Sequence, residues 1–382
     1  MLNPEELVRY NRQIRLPEIG EAGQEKLKSS KVLVIGAGGL GCPVLQYLTA
    51  VGVGTIGIVD FDKVDESNLQ RQILYTVDDV GKLKVDCAVR KLTRQNQHVR
   101  FITYNLQLTN QNAIDIIKNY DVIIDGTDNY ATRYLLNDAC VLLDKPWIYG
   151  SIHRFEAQVS VFNYLNKNKI KGPTYRCLFP SPPLLELEGN CSEIGVLGVL
   201  PGIVGMLQAN EAIKIIVEIG DVLSGELLIF NALNLQFHTI SIERSDSSVQ
   251  EVPASETQFK KTAYGQFCNT VAKELKLEVS IDELHRLISE NRENIQLVDV
   301  REQNESPQIE ELKEINIPLV EIIDKAYYID RNKKVIIFCK SGVRSAIAIQ
   351  LLQKKFGMKN LFTLKGGVNE WLRTAKNKVK NS

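Results

Sequence analysis

Residues 31–36 read K-V-L-V-I-G and residues 55–60 read T-I-G-I-V-D, two apolar runs rich in β-branched side chains. The stretch between them predicts a helix from about Gly39 to Val51, so the three pieces form a strand–helix–strand unit of a parallel sheet. Further runs predict strands at 100–104, 121–125, 147–151 and 158–162, with helical patterns at about 81–96 and 130–143. Alternation of this kind builds an α/β domain, a mostly parallel sheet covered by helices on both faces.

After Ile242 the texture changes. The stretch E-R-S-D-S-S-V-Q-E-V-P-A-S-E-T lacks hydrophobic periodicity, is rich in serine and charge, and contains Pro253. It predicts a linker over about 244–262, within a connecting region 244–278. A second strand–helix pattern follows: V-S-I-D-E-L-H-R-L-I at 279–288, I-Q-L-V-D-V-R at 295–301, V-I-I-F-C at 335–339, a helix after Gly342, and L-F-T-L-K-G-G at 361–367. The chain thus divides into a large domain over 1–243 and a small α/β domain over 279–382. The most apolar stretch, Ile194 to Ala209, holds four glycines and Pro201 and is too short for a bilayer, so it predicts a buried helix.

Lys plus Arg equals Asp plus Glu, 46 each in 382 residues, a balance that argues against a surface for nucleic acid. The N-terminal P-E-E-L-V-R-Y-N-R-Q is too charged for a signal peptide. Seven cysteines, odd in number and scattered, do not read as a disulfide framework. The expectation is a cytoplasmic protein with reduced thiols, no membrane attachment and no nucleic-acid partner.

Candidate chemistry lies at the strand ends. Gly36, Gly38, Gly39 and Gly41 follow the first strand and open its helix. There, absent side chains let backbone N–H groups approach a phosphate, and the helix N-terminus adds positive potential. Asp60 ends the next strand, placed to accept hydrogen bonds from ribose hydroxyls. These features alone also suit an NAD-binding oxidoreductase. The segment F-D-K-V-D-E-S-N-L-Q-R-Q at 61–72, with G-K-L-K at 81–84 and G-T-D-N at 126–129, adds Arg71, Lys84 and Asp128. A nicotinamide site has little use for two cations and a carboxylate near the phosphates. A site that breaks the α–β bond of ATP does, because the cations offset growing charge and Asp128 can hold Mg2+.

Six ordered motifs carry a resemblance: R-Y-N-R-Q-I at 9–14, G-A-G-G-L-G at 36–41, D-F-D at 60–62, S-N-L-Q-R-Q at 67–72, G-x-x-K at 81–84 and T-D-N at 127–129. Over about residues 1–242 the chain resembles the MoeB/ThiF/HesA adenylating enzymes, relatives of the ubiquitin-activating enzymes. The resemblance implies a Rossmann-like, ubiquitin-activating-enzyme-like fold. It also implies adenylation of the C-terminal glycine of a small ubiquitin-like carrier ending in Gly-Gly, with release of pyrophosphate. By the same resemblance Asp60 binds ribose, and Ser67, Asn68, Leu69, Gln70, Arg71, Gln72 and Lys84 contact the nucleotide. Asp128 and Asn129 flank Mg2+ and the phosphates. Arg12 matches an arginine that reaches ATP from a neighbouring subunit, which implies a homodimer with sites completed in trans.

That family often carries structural zinc on two C-x-x-C pairs. Here the first pair corresponds to Thr174 and Cys177, and E-R-S-D-S-S-V-Q at 243–250, where the second should stand, has no cysteine. One cysteine cannot close a tetrahedral site, so no structural zinc is expected and Cys177 reads as a packed remnant. Cys191 follows a Pro-rich stretch and precedes the apolar helix, a position where a thiolate is favoured. The resemblance implies a loop crossing over the adenylate, whose cysteine forms a thioester or disulfide with the activated carrier. The alternative is a loop cysteine of no consequence. Cys42, Cys87, Cys140 and Cys268 fall in helical patterns and read as core or incidental.

Cys339 ends a strand, and Lys340, Ser341, Gly342, Val343, Arg344 and Ser345 lead into a helix. Curled around Cys339, the loop would aim backbone N–H groups at its sulfur, with Lys340 and Arg344 adding charge, and so stabilise a persulfide anion. A cysteine phosphatase also has Cys and Arg flanking a loop, but the smaller ring here suits a single sulfur better than a phosphate. D-V-R at 299–301, the Cys339 loop and L-K-G-G-V-N-E-W at 364–371 resemble a rhodanese domain over about 279–375, in which Asp299 and Arg301 brace the loop. The G-H-I-P-G-A segment usual after D-V-R is absent, N-I-P-L at 316–319 being all that corresponds. The sulfur donor, a cysteine desulfurase for instance, stays open. Together the resemblances imply an activator–sulfurtransferase of molybdopterin, thiamine or tRNA-thiolation pathways. ATP and carrier give an acyl-adenylate, the Cys339 persulfide attacks it, and Cys191 or an outside reductant resolves the acyl disulfide to a thiocarboxylate. The rival classes are the NAD oxidoreductase and a non-catalytic scaffold for ubiquitin-like partners.

Overall fold

Five parallel strands, β1 (Lys31–Ile35), β2 (Thr55–Val59), β3 (Arg100–Tyr104), β4 (Val122–Asp125) and β5 (Trp147–His153), stand in the spatial order β3-β2-β1-β4-β5. Antiparallel β6 (Glu156–Phe162), β7 (Glu226–Asn231) and β8 (Gln236–Ser241) extend the same sheet. Val32, Val34, Ile56, Ile58 and Ile124 bury one face against the helices Gly20–Ser29, Gly41–Val51, Lys84–Gln95 and Leu200–Val217. Alternate residues such as Leu33 and Ile123 point to the other face and are equally buried, so the central strands β1, β2 and β4 are covered on both sides, as the sequence predicts, while β8 is exposed along its length. The computed structural model describes residues 1–180, 195–264 and 277–380, apart from 304, 306, 313, 314 and 341, and these fall into two units.

Within the apolar stretch the long helix begins at Leu200, with Pro201 in its first turn, where a missing N–H costs nothing. The helix Leu200–Val217 is long and apolar enough to cross a membrane by length and composition alone, yet Leu200, Val204, Ala209 and Ala212 are core residues. It packs closely on the start of helix Gly41–Val51. A Cβ on Gly205 would lie 2.4 Å from Pro43 Cγ and 2.5 Å from the Leu40 carbonyl oxygen.

The linker expectation is corrected. Residues Asp246–Gln250 and Glu256–Lys261 are helical, and the first unit runs to Tyr264. Ser245 and Ser255 cap the two helices through their side chains, so the serines that read as linker composition are capping residues. Phe259 is fully buried, and the Tyr264 hydroxyl donates to Asp138 Oδ2 at 2.8 Å. Asp138 also receives both arms of Arg176, at 2.8 and 2.7 Å.

In the second unit β9 (Glu278–Val279), β10 (Ile295–Asp299), β11 (Ile315–Asn316), β12 (Lys334–Phe338) and β13 (Leu361–Leu364) form a parallel sheet in the order β11-β10-β12-β13-β9. Val298 and Ile337 pack into one apolar cluster, and Leu297 and Ile336 into another with Leu284 and Trp371. The helix Val343–Phe356 follows the Cys339 loop as expected.

Candidate active sites

The C-terminal edge of the first sheet gathers its candidate residues by register, because Ile35 stands opposite both Val59 and Asp125. Gly36, Asp60 and Gly126 therefore emerge side by side. Gly36 has φ +94°, a left-handed conformation, and a Cβ there would lie 2.8 Å from the Gly126 carbonyl oxygen. A Cβ on Gly41 would lie 1.9 Å from the Gly36 carbonyl oxygen. These two glycines build the turn, whereas Gly38 leaves its top bare and a Cβ on Gly39 would lie 3.1 Å from Pro201 Cβ. Gln72 Nε2 lies 3.6 Å from the place of a Gly38 Cβ, and Arg71 Cγ 3.5 Å from that of Gly39. The Ala37 and Asp62 N–H groups donate to Asp60 Oδ2 and Oδ1 at 2.7 and 2.8 Å, tying the turn to β2. Burial pushes the Asp60 carboxyl up, with the Lys84 charge pulling the other way.

Lys84 opens its helix nearly buried, and its Nζ donates to Asp62 Oδ2 at 2.9 Å. Asp62, which sequence reasoning passed over, is half exposed, so a phosphate would compete with a solvated partner. Asp65 accepts the N–H and hydroxyl of Ser67 and shapes the short turn Glu66–Asn68, and Arg71 Nη1 donates to the Ser67 carbonyl at 3.3 Å. Leu69 packs on the apolar core, and Gln70 is exposed beside Gly198, where a Cβ would meet Gln70 Oε1 at 2.4 Å. Asp128 is exposed on its loop, while Asn129 Oδ1 accepts from the Thr132 N–H at 2.9 Å and caps the helix Tyr130–Leu142. Arg12 is exposed on the helix Asn11–Ile14, and its neighbour Gln13 donates to the Val51 carbonyl at 3.0 Å. Val51 ends the helix that Gly41 opens, about 15 Å from the turn by helical rise, so the chain does not bring Arg12 to its own turn. Among the described residues no group of three or more His, Cys, Asp or Glu is placed to hold a metal ion. A divalent cation here would need one carboxylate plus phosphate oxygens, the usual habit of Mg2+.

In the second unit Cys339 follows β12 fully buried, and Gly342, at φ +97°, donates its N–H to Cys339 Sγ at 3.2 Å. Ser345 Oγ lies 3.8 Å from the sulfur and bonds Thr363 Oγ1 at 2.6 Å. The Gly366–Gly367 turn seals the loop. Val368 and Asn369 donate to the Cys339 and Lys340 carbonyls at 2.9 Å each, and a Cβ on Gly367 would lie 2.2 Å from the Cys339 carbonyl oxygen. The role expected of Arg344 is corrected: its two terminal nitrogens donate to both oxygens of Glu305, each at 2.7 Å. Burial would raise the Glu305 carboxyl, but the bonds and charge of Arg344 outweigh it and hold the carboxyl below its usual range. A bidentate carboxylate in this nearly dry setting offsets the guanidinium's charge, Lys340 adds its charge near the same carboxylate, and the N–H of Gly342 points at the sulfur. Arg301 pairs with Asp299 at 2.7 Å and donates to the Pro307 carbonyl at 2.9 Å, so these two brace the segment that presents Glu305. Ser341 and the Val343 side chain lie outside the described residues.

The family profile for ThiF matches residues 10–251. The chain belongs to the ThiF family. A rhodanese-like domain profile matches residues 280–374. Over 379 residues the chain is 41% identical to the probable adenylyltransferase/sulfurtransferase MoeZ of Mycobacterium tuberculosis, covering 97% of this chain and 94% of that protein. It is 40% identical over 386 residues to the adenylyltransferase and sulfurtransferase MOCS3 of Drosophila sechellia, covering 97% and 84%. The crystal structure of E. coli MccB with succinimide superposes with a TM-score of 0.54 at 22% identity, covering 62% of this chain and 72% of that one, a likeness of fold alone.

One cysteine of this ThiF-family chain departs from its expected role. Cys177 Sγ accepts the N–H groups of Thr174 and Ser245 at 3.4 Å each, and Ser245 Oγ accepts from Ser248 N–H at 3.3 Å. The thiol thus joins two segments by hydrogen bonds and is more than a packed remnant. Burial pushes the Cys42 thiol up to about 12 and raises Cys87 and Cys140, which suits inert core residues. Cys191 and Cys268 lie outside the described residues.

Proposed function

We propose that this chain adenylates the C-terminal glycine of a ubiquitin-like carrier ending in Gly-Gly and then delivers sulfur to it from a persulfide on Cys339. The observation that carries the reading is one strand edge where a bare glycine turn meets Asp60, Lys84, Arg71 and Asp128, on the same chain as a cysteine loop. In the first half-reaction a carboxylate oxygen of the carrier attacks the α-phosphorus, and the bond to pyrophosphate breaks. The turn's N–H groups and Asp60 hold nucleotide and ribose, while Arg71 and Lys84 offset the charge gathering on the leaving group. Asp128 would hold the Mg2+ that accompanies ATP and shields its phosphates. Arg12 belongs to the site of a second copy in a homodimer, a reading supported by its distance from its own turn.

In the second half-reaction the outer sulfur of the Cys339 persulfide attacks the acyl-adenylate carbonyl and AMP leaves. A thiolate, from Cys191 or an outside reductant, then attacks the Cys339 sulfur, and the carrier departs as a thiocarboxylate. The sulfur reaches Cys339 from a donor such as a cysteine desulfurase. The product feeds a cytoplasmic sulfur-insertion route of the molybdopterin, thiamine or tRNA-thiolation type. The test is ATP–pyrophosphate exchange that depends on a purified carrier, followed by mass spectrometry for the thiocarboxylate. Exchange that ignores the carrier sinks the reading. Mixing Arg12→Ala with Asp128→Ala chains should restore part of the exchange, and verified heterodimers without recovery would place Arg12 elsewhere.

A further inference from the structure

Beneath the Thr127–Asn129 loop lies a buried charged cluster that no motif announces. Asp125, which ends β4, is fully buried, and Arg133, in the first turn of helix Tyr130–Leu142, is 5% exposed. Asp125 Oδ1 accepts the Thr127 N–H at 2.9 Å and the Thr127 hydroxyl at 2.6 Å. Arg133 Nη2 donates to the Thr127 carbonyl at 3.2 Å and to the Gly150 carbonyl of β5 at 3.3 Å. Gln208, from helix Leu200–Val217, donates to the Asp125 carbonyl at 2.7 Å. Thr127 is thus held at its N–H, its hydroxyl and its carbonyl, and the exposed residue next to it is Asp128.

The cluster is a poor choice for stability alone. Asp125 Oδ2 and Arg133 Nε stand 3.4 Å apart as an ion pair, and both atoms, with Gln208 Oε1, are buried without a hydrogen-bond partner. A charged pair taken out of water and left half-bonded is often no more stabilising than apolar residues of the same volume. What it does supply is position, since it joins the end of β4 and the middle of β5 to two helices directly under the loop.

We propose that Arg133 is a positioning residue for adenylation: with Asp125 it clamps Thr127, so that Asp128 presents its carboxylate to the metal–nucleotide complex in one place. The inference rests on the reading of Asp128 as the cation-holding acid. A substitution that loosens the clamp should therefore alter the cation requirement as well as the rate, which a purely structural role would not do.

The experiment uses the full chain and its carrier, with exchange measured across a Mg2+ titration at saturating ATP. Arg133→Lys keeps the charge and loses the planar fork. Its kcat should fall at least about thirtyfold, and the Mg2+ needed for half-maximal exchange should rise at least about fivefold. Persulfide loading of Cys339 in the same preparation should be unchanged. Thr127→Val removes one hydroxyl from the clamp and should show the same pattern with a loss of about fivefold. Exchange by Arg133→Lys within about threefold of wild type, or a loss without any change in Mg2+ requirement, overturns the proposal. Should Arg133→Lys fail to fold by circular dichroism, Thr127→Val decides, and both quantities within about twofold of wild type overturn it. Asp128→Ala is run alongside. If it retains exchange, the reading of Asp128 falls and the inference with it; if it loses exchange while Arg133→Lys does not, the positioning inference alone falls.

Discussion

The Gly36–Gly41 turn and the Cys339–Ser345 loop are built alike, each leaving the C-terminal end of a parallel strand and entering a helix, yet they spend their cations differently. At the glycine turn Lys84 is paired with an acid that is 54% exposed, and Arg71 leans on a backbone carbonyl. At the cysteine loop Arg344 is locked to Glu305 with both side chains largely buried, at 11% and 16% exposure. A large polyanion that arrives and departs needs side-chain charges that can change partners. A single sulfur that stays on one atom needs N–H groups in fixed places, and there a stray guanidinium is better held elsewhere.

The sharpest way to break this comparison is to remove one functional side chain at each site, Cys339 from its loop and Asp128 from the loop that follows β4 beside the glycine turn. Cys339→Ala should lower thiocarboxylate formation at least about a thousandfold and leave carrier-dependent exchange intact, whereas Asp128→Ala should cost exchange at least about a hundredfold. If either variant lost both activities while still folded, the two loops would not be separate chemical stations.

The glycines test the backbone half of the comparison. Gly41→Ala and Gly367→Ala drive a methyl onto a carbonyl oxygen, and each should destabilise its own unit by more than about 3 kcal/mol in denaturant unfolding. Gly38→Ala meets only ordinary contact and should fold normally while raising the KM for ATP. Equal destabilisation by all three would mean the bare top of the turn is as packed as its base.

Cation pairing gives a smaller difference. Glu305→Ala strands a largely buried guanidinium and should cost about 2 kcal/mol, against about 1 kcal/mol for Asp62→Ala, which leaves the nearly buried Lys84 ammonium still beside the Asp60 carboxylate. Comparable losses would show that Lys84 is locked as firmly as Arg344.

The smallest effect is in acid. Burial alone would raise the Asp79 carboxyl, but bonds from Lys91 and Thr76 outweigh it and hold the carboxyl well below its usual range. A carboxyl depressed in the folded state adds stability that is present above its unfolded pKa of about 4 and is lost as the pH falls below that. Thermal unfolding of the first unit between about pH 6 and 3 should therefore steepen below about 4, and Asp79→Asn should flatten that slope. The depressed Glu305 carboxyl predicts the same sign for the second unit.

Most of the frame was legible in the sequence. The runs at 31–36, 55–60 and 100–104 are strands because Val and Ile suit a sheet buried on both sides, and the glycine motif marks its own turn. Residues 244–262 were misread, because two helices of five or six residues carry too little periodicity to stand out, and what holds them is Phe259 and Tyr264 in the core. Arg133 and Glu305 left no signal of their own, and Asp62 showed only as the second acid of D-F-D, since a charged residue in a helix or loop looks the same whether it is solvated or paired.

What the sequence by itself determined is therefore the local chemistry: which strands form, where glycine must stand, and which residues could carry charge, metal or sulfur. These follow from propensity and sterics within a few neighbouring residues. Only the tertiary structure decided which of those charges are spoken for. Arg344 meets Glu305 across 39 residues of chain and Asp138 meets Tyr264 across 126. Pairing strength depends on distance and burial, and neither is a property of the residues taken one by one.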